Sequence, residues 1–183
     1  MTFKNYLLLT LCLSAWVAPL AAQETPYFKA SIGLNIIDNS NQSSRGFWGI
    51  EDVAFESPLA LGVDYQANDQ WSFGVNTSFN TLKELGERSK FFGMNADANY
   101  YIVKAEGRNF IDFYGIMGAG FYTAFDNTGI TVNPGLGFNY WFLETVGVNL
   151  TAKANFEVNS GAPEVQNFYQ YSFGVIFRMG ENF

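Results

Sequence analysis

The 183-residue chain contains no histidine. That one absence removes the Ser-His-Asp arrangement, the commonest general base and the commonest metal ligand. Its single cysteine, Cys12, lies inside an apolar N-terminal run, so the rest of the chain has no thiol nucleophile, thiolate ligand or disulfide. Charge is sparse: Asp, Glu, Lys and Arg make up 15% of residues, against about 25% in a soluble domain. The balance is acidic, a net −7, and no basic patch forms, which argues against nucleic acid as a partner. Beyond residue 22 no apolar run approaches the ~20 residues a spanning helix needs. Gly118-Ala119-Gly120 and Gly135-Leu136-Gly137 lack the third glycine and the following helix of a dinucleotide loop. The expectation is therefore no enzyme, no cofactor and no metal.

What is present falls into two parts. Residues 1–22 have a basic start at Lys4, an apolar run from Tyr6 to Val17 and small residues Ala21 and Ala22 before Gln23. These are the features of a secretory signal peptide cleaved after Ala22. From Tyr27 the chain changes character. Apolar and aromatic residues, 48% and 18% of the whole, recur at every second position, the mark of a strand with two different surroundings.

The last such segment, Phe168 to Gly180, is the clearest. Tyr169, Tyr171, Phe173, Val175 and Phe177 share one face; Gln170, Ser172, Gly174 and Arg178 share the other, with Ile176 as the exception. Seven earlier segments repeat the pattern, beginning at Tyr27, Ser57, Trp71, Phe92, Phe110, Ile130 and Val146. Their bulky faces carry Ile32, Leu34, Leu61, Val75, Phe138 and Leu150. Their other faces carry Lys29, Asp64, Asp97, Asp112, Lys153 and Glu157 among many Asn and Gly. In the Phe110–Phe125 segment apolar residues occupy both faces; Asp112, Gly118 and Gly120 point to Ile111, Phe113, Met117, Ala119 and Phe121 as the outward set.

A soluble barrel turns its bulky residues inward. Here the other face holds charges, amides and glycines, which cannot form a dry apolar core. The pattern therefore predicts a closed, eight-stranded, antiparallel up-and-down transmembrane β-barrel over residues 27–180, with the greasy face toward lipid. An exposed Lys or Arg at mid-membrane costs about 2–4 kcal/mol, falling to about 0–1 kcal/mol near the interfaces. Mid-segment Lys153 thus points inward, while Arg178, near an end, decides less. Lys29, Asp64, Asp97, Asp112, Lys153, Glu157 and Arg178 are expected to form an interior network in which charges are paired. Ile32, Leu34, Leu61, Val75, Phe138, Leu150, Phe173, Val175 and Phe177 are expected to meet lipid. Tyr65, Trp71, Tyr100, Tyr140, Trp141 and Phe142, near strand ends, suit aromatic girdles. Tight turns are expected at 67–70, 106–109, 126–129 and 143–145, and longer polar connections at 38–56, 81–90 and 159–167. Short turns on one side and long loops on the other are the asymmetry of a bacterial outer-membrane barrel.

The runs YGIMGAGFY (Tyr114–Tyr122), NPGLGFNYWF (Asn133–Phe142), VGVNL (Val146–Leu150) and QYSFGVIFRMG (Gln170–Gly180) resemble the OmpA-like outer-membrane β-barrel family, the small eight-stranded kind. The resemblance covers roughly Tyr27 to Gly180. It implies insertion into the outer membrane of a Gram-negative bacterium, with outer-membrane lipid as surroundings. The closing segment also resembles the signal read by the barrel-insertion machinery, through Ser172, Gly174 and Phe177, although Met179 stands where an aromatic is usual. Longer relatives continue into a peptidoglycan-binding domain, and that anchoring function is not expected here. Enzymes on similar barrels depend on histidine, so their activities do not transfer.

The expected role is structural or interactive: a scaffold displaying extracellular loops, as a protein partner or a subunit of a larger outer-membrane assembly. Phe47 and Trp48, two large rings in a polar loop, are the contact candidates, since loops on a rigid scaffold often carry function. Two alternatives stay open at this point: a narrow pore for small solutes, and a soluble periplasmic barrel binding a lipophilic ligand.

Overall fold

The structure is a computed structural model that describes residues 26–38, 53–84, 87–106, 108–159 and 167–180. The expected signal peptide, and Phe47 and Trp48, lie outside the described residues. The elements are β1 (Tyr27–Asp38), β2 (Val53–Ala54), β3 (Leu59–Gln66), β4 (Trp71–Glu84), β5 (Glu87–Val103), β6 (Ile111–Ala124), β7 (Asn127–Trp141), β8 (Val146–Glu157) and β9 (Asn167–Met179). Every pairing is antiparallel between neighbours, and β9 returns to pair with β1 from Phe28↔Met179 to Asp38↔Tyr169. The sheet is therefore a closed cylinder without a free edge, the one sheet arrangement hydrocarbon tolerates.

Two-residue β2 does not add a ninth stave. It pairs with β1 at Ile37↔Ala54, on the same side of β1 that β3 pairs with from Tyr27 to Gly33. β2 and β3 are thus one stave interrupted at residues 55–58, where Pro58 has no N–H to donate. The Asn80 side chain from β4 reaches into the interruption. Its Nδ2 donates to the carbonyls of Asn35 (3.1 Å) and Ala54 (2.8 Å), satisfying backbone groups that the missing ladder leaves open. Eight staves result, as expected.

The connections between β3 and β4, β5 and β6, and β7 and β8 are short turns, and they share one end with the start of β1 and the finish of β9. In the first turn Asn68 Oδ1 accepts from the N–H groups of Gln70 and Trp71, both at 2.9 Å, the local bonding that makes Asn a turn residue. In the second, Asn109 donates from Nδ2 to the carbonyls of Lys104 and Ile111. This is the periplasmic end of such a barrel.

At the opposite end two expectations need correction. Residues 81–84 and 87–90, expected to be loop, are strand. The β4–β5 ladder runs on through Thr81↔Lys90 and Lys83↔Arg88 to Glu84↔Glu87, because Leu82 and Phe91 are anchored inside the barrel mouth, 3% and 2% exposed. The turn between β6 and β7 is centred on Phe125-Asp126, ahead of the expected Asp126–Gly129. Both residues have positive φ, 49° and 60°, the left-handed pair a two-residue hairpin turn requires. For phenylalanine that conformation costs about 1–2 kcal/mol. It is held because Phe125 packs on the apolar cluster in the mouth and its N–H donates to Ser89 Oγ at 2.6 Å.

Candidate functional site: the lumen and its two closures

The barrel has two surfaces of opposite character. Outside, the register aligns apolar residues into continuous rows around the wall. One runs Leu34, Phe173, Leu150, Phe138, Phe113 across β1, β9, β8, β7 and β6. A second runs Ile32, Val175, Val148, Tyr140, Ile111. Phe173, Leu34 and Leu150 are 55%, 45% and 44% exposed, and Leu61, Val75, Val175, Phe177 and Ile32 are exposed as well; Phe138 is half-buried by its neighbours. A strand of 12 residues at about 3.3 Å per residue, tilted by about 40°, rises roughly 30 Å, enough to carry an apolar band about 25 Å tall across a bilayer.

Inside, the middle of the cylinder is polar. Lys153 Nζ and Asp97 Oδ2 form an ion pair at 2.9 Å with both side chains buried, and Asn76 Nδ2 donates to the same Asp97 oxygen at 2.9 Å. Glycines on the strands flanking the pair make room for it. A Cβ at Gly118 would overlap the Asp97 carboxylate, and one at Gly135 would stand 2.8 Å from Lys153 Cγ. Asp64 Oδ1 accepts from Asn99 Nδ2 (3.0 Å), and Asn133 Nδ2 donates to Asn95 Oδ1 (2.6 Å). Asp64, Asn76, Asn95, Asp97, Asn99 and Lys153, with Ser31, Asn149, Thr151, Gln170 and Ser172, line a luminal chamber of about 50 Å³.

Each end of the chamber is shut, by different chemistry. Toward the periplasm, Lys29 Nζ donates to Gln66 Oε1 (2.6 Å) and to the Tyr101 hydroxyl. Gln66 Nε2 in turn donates to the Asn68 carbonyl (2.7 Å), which ties the group to the first turn. Beside them Asp112 accepts from the Ala105 N–H (2.6 Å), Asn139 Nδ2 (2.9 Å) and Trp141 Nε1 (2.7 Å). The Arg178 guanidinium lies 3.9 Å over the Trp141 ring. This end is locked by hydrogen bonds to charged groups, each worth about 1.5–3 kcal/mol. Toward the outside, Phe91, Tyr122 and Phe168 meet in the mouth with Ile37, Leu82, Ala54 and Ala124. Phe91 and Tyr122 stack at 5.9 Å, and Phe168 stands edge-on to both, at 5.6 and 5.4 Å and 82°. Aromatic pairs of this kind contribute about 0.5–1.5 kcal/mol each beyond their burial.

Among solved structures the fold is similar to Neisserial surface protein A, with a TM-score of 0.61 and 17% identity over 84% of this chain and 97% of that one. It is also similar to OprG from Pseudomonas aeruginosa (TM-score 0.55, 15% identity, 87% and 99% covered) and to Ail of Yersinia pestis (0.52, 10%, 84% and 97%). No protein-family model matches the sequence. No curated protein matches it significantly. At such identities the likeness is one of fold, and it joins the apolar exterior and polar lumen just described. The chain has the fold of the small eight-stranded outer-membrane β-barrels.

In this barrel the seven charged residues picked from sequence do not converge into one set of ion pairs. Lys153 and Asp97 bridge directly. Asp112 is held by neutral donors. Lys29 is held by an amide and a phenol, and Arg178 lies on a ring, half-buried near the turn end. Glu157 Oε2 accepts from the Tyr122 hydroxyl at 3.4 Å. Amides and aromatic hydroxyls take most of the work expected of opposite charges, because a narrow cylinder offers more Asn than Lys or Arg at each level. Ser172 and Gly174 face the lumen on β9, Phe177 the exterior. Tyr65, Trp71, Tyr100, Tyr140 and Phe142 sit on the outside near strand ends, but Trp141 does not belong to a girdle: it is 2% exposed and donates to Asp112 inside.

The inward rings missed from sequence are the closures themselves: Phe91, Tyr122 and Phe168 at the outer end, Tyr101, Tyr114 and Trp141 at the periplasmic end. A signal for them existed. Phe91-Phe92, Tyr100-Tyr101, Phe113-Tyr114, Phe121-Tyr122, Tyr140-Trp141 and Phe168-Tyr169 are adjacent aromatic pairs, and in a strand one member of each must point inward. A bulge between Tyr101 and Val103 lets Ile102 and Val103 both face out while Tyr101 keeps its ring against Tyr114 at 4.9 Å.

Proposed function

We propose that this barrel is a structural and interaction protein of the outer membrane, a rigid cylinder that carries its long connections to the cell exterior, alone or within a larger assembly. The single observation behind the reading is a lumen shut at both ends by side chains of the wall. A cylinder of that kind serves as a support rather than a conduit. In this role Ile32, Leu34, Leu61, Val75, Phe138, Leu150, Phe173, Val175 and Phe177 contact lipid. Lys29, Asp64, Asp97, Asp112, Lys153, Glu157 and Arg178, with the amides around them, hold the cylinder in one register. Ser172, Gly174 and Phe177 serve the insertion machinery during assembly, and residues 38–56 and 159–167 meet protein partners. Ail, a structural neighbour, is named an attachment invasion locus protein, which supports surface contact as the direction to test.

The discriminating measurement is single-channel recording of the purified barrel in planar bilayers. The scaffold reading expects a flat baseline, and stable unitary steps would replace it with the pore reading. The lipophilic-ligand reading is disfavoured by a chamber of only about 50 Å³ that holds the buried Lys153–Asp97 pair; release of the protein from membranes by a salt wash without detergent would revive it.

A further inference from the structure

The two closures differ in what must be broken to open them, and the chamber between them carries polar atoms with nothing to bond. Asp97 Oδ1, on the chamber wall, has no hydrogen-bond partner among the described residues; Asn133 Oδ1, on a side chain bonded to the wall residue Asn95, has none either. One step nearer the mouth, Asn35 (0% exposed) has both side-chain polar atoms unpartnered, and Ser78 (2% exposed) has its hydroxyl unpartnered. Ser78 sits directly under the plug, since a Cβ at Gly93 would stand 2.9 Å from Ser78 Oγ and 3.1 Å from Phe91 Cε1. Buried polar groups left without partners carry a desolvation penalty that a bound polar molecule removes. A volume of about 50 Å³ accommodates a few molecules of water size, at about one probe sphere of 10–15 Å³ each.

We infer that the lumen is an outward-opening binding chamber for water-sized polar molecules, with the Phe168 ring as its gate. Access is one-sided. Opening the periplasmic end would strip Lys29 of Gln66 and Tyr101, and Asp112 of Trp141, leaving charges buried without donors. The Phe91 and Phe168 rings, by contrast, form no hydrogen bonds, so displacing Phe168 breaks no bond to a charged group: it gives up ring contacts and, where the strand end frays, the long Asn155 Nδ2 bond to its carbonyl (3.4 Å). The gate also has a lever. Phe168 is the second residue of β9, paired with Asn155 at the outer end of the β8–β9 ladder, and ladder ends open locally at lower cost than ladder centres. The inference adds to the scaffold reading without replacing it, because a chamber open on one side conducts nothing.

The test uses the near absence of thiols. In a Cys12→Ala background, Ser172→Cys is a close isostere on the chamber wall and the only thiol in the protein. Its modification by 2-aminoethyl methanethiosulfonate is followed by mass on the detergent-folded barrel, with folding checked in each variant by heat-modifiable gel mobility. Phe168→Ala is expected to raise the rate by about ten-fold or more, the population shift that follows loss of a packed ring. Phe91→Ala, the second plug variant, should raise it too. Gln66→Leu and Arg178→Gln, at the periplasmic end, should leave it within about two-fold of the parent, since a charge-locked closure stays shut when one contact is lost. An unchanged rate in both plug variants overturns the inference. So does an equal acceleration from the periplasmic variants, or a parent rate already as fast as that of a water-exposed thiol at Glu106→Cys in the β5–β6 turn. Single-channel steps in Phe168→Ala would overturn the one-sidedness and the scaffold reading together, whereas a flat baseline with a faster thiol supports both.

Discussion

Replacing Lys153 by methionine removes a charge without removing volume, and the structure says what is left behind. Asp97 loses a cation at 2.9 Å, keeps one donor, Asn76 Nδ2, and its Oδ1 already lacks a partner. The gross attraction of two unit charges at that distance is about 6 kcal/mol at an effective dielectric of 20, but much of it repays the cost of burying both ions. What the single variant exposes is an uncompensated buried carboxylate, a loss of about 3–5 kcal/mol. Lys153→Met combined with Asp97→Asn removes both charges and keeps the Asp97 shape, so most of that loss should return, leaving a deficit of about 1 kcal/mol or less. Urea unfolding of the barrel in lipid vesicles, followed by tryptophan fluorescence, measures all three proteins. The reasoning is refuted if Lys153→Met stays within about 1 kcal/mol of the parent, or if the double variant is no more stable than the single one.

The remaining expectations use the same unfolding assay. Gly118→Ala places a Cβ into the Asp97 carboxylate and should cost about 1–3 kcal/mol, whereas alanine at Gly115, where a Cβ meets open space, should change stability by less than about 0.5 kcal/mol. Trp141→Phe keeps a ring under Arg178 but removes the donor to Asp112, for a loss of about 1.5–3 kcal/mol. Leu150→Lys, on the exterior row, should cost about 2–4 kcal/mol if that row lies at the midplane; a cost below about 1 kcal/mol would move it to the interface. At the β6–β7 turn, Asp126→Gly should be neutral or stabilising and Asp126→Val should cost about 1–2 kcal/mol, because φ is positive there.

Much of this molecule was legible in the linear pattern because the barrel gives every residue one of two environments. A period of two separates them, so Lys153, Asp97 and Asp112 on one face and Leu150, Val75 and Phe173 on the other could be assigned without coordinates. The same regularity set the stave count and the end at which the short turns lie. What the pattern did not reveal comes from places where the two environments are not uniform along the axis. Large rings stand on the inward face at both ends, as an apolar plug at the outer mouth and beside the hydrogen-bonded charges at the periplasmic end, so Phe91, Tyr122 and Trp141 look out of place when the inward face is treated as polar throughout. Adjacent aromatics such as Phe91-Phe92 and Tyr140-Trp141 carried the missing signal, since strand geometry sends one of each pair inward.

Alternation along the chain thus determined by itself the cylinder, the sorting of its two faces and the exposure of the outer one to hydrocarbon, since those follow from local steric geometry and the cost of charge in hydrocarbon. Only the tertiary structure decided which inward groups meet. Partnership across the lumen depends on the stagger of strands far apart in sequence, as with Lys29 and Tyr101 or Phe91 and Phe168. A chain read one strand at a time carries no record of that stagger, so the two closures, and the difference in strength between them, emerge only when the sheet is rolled shut.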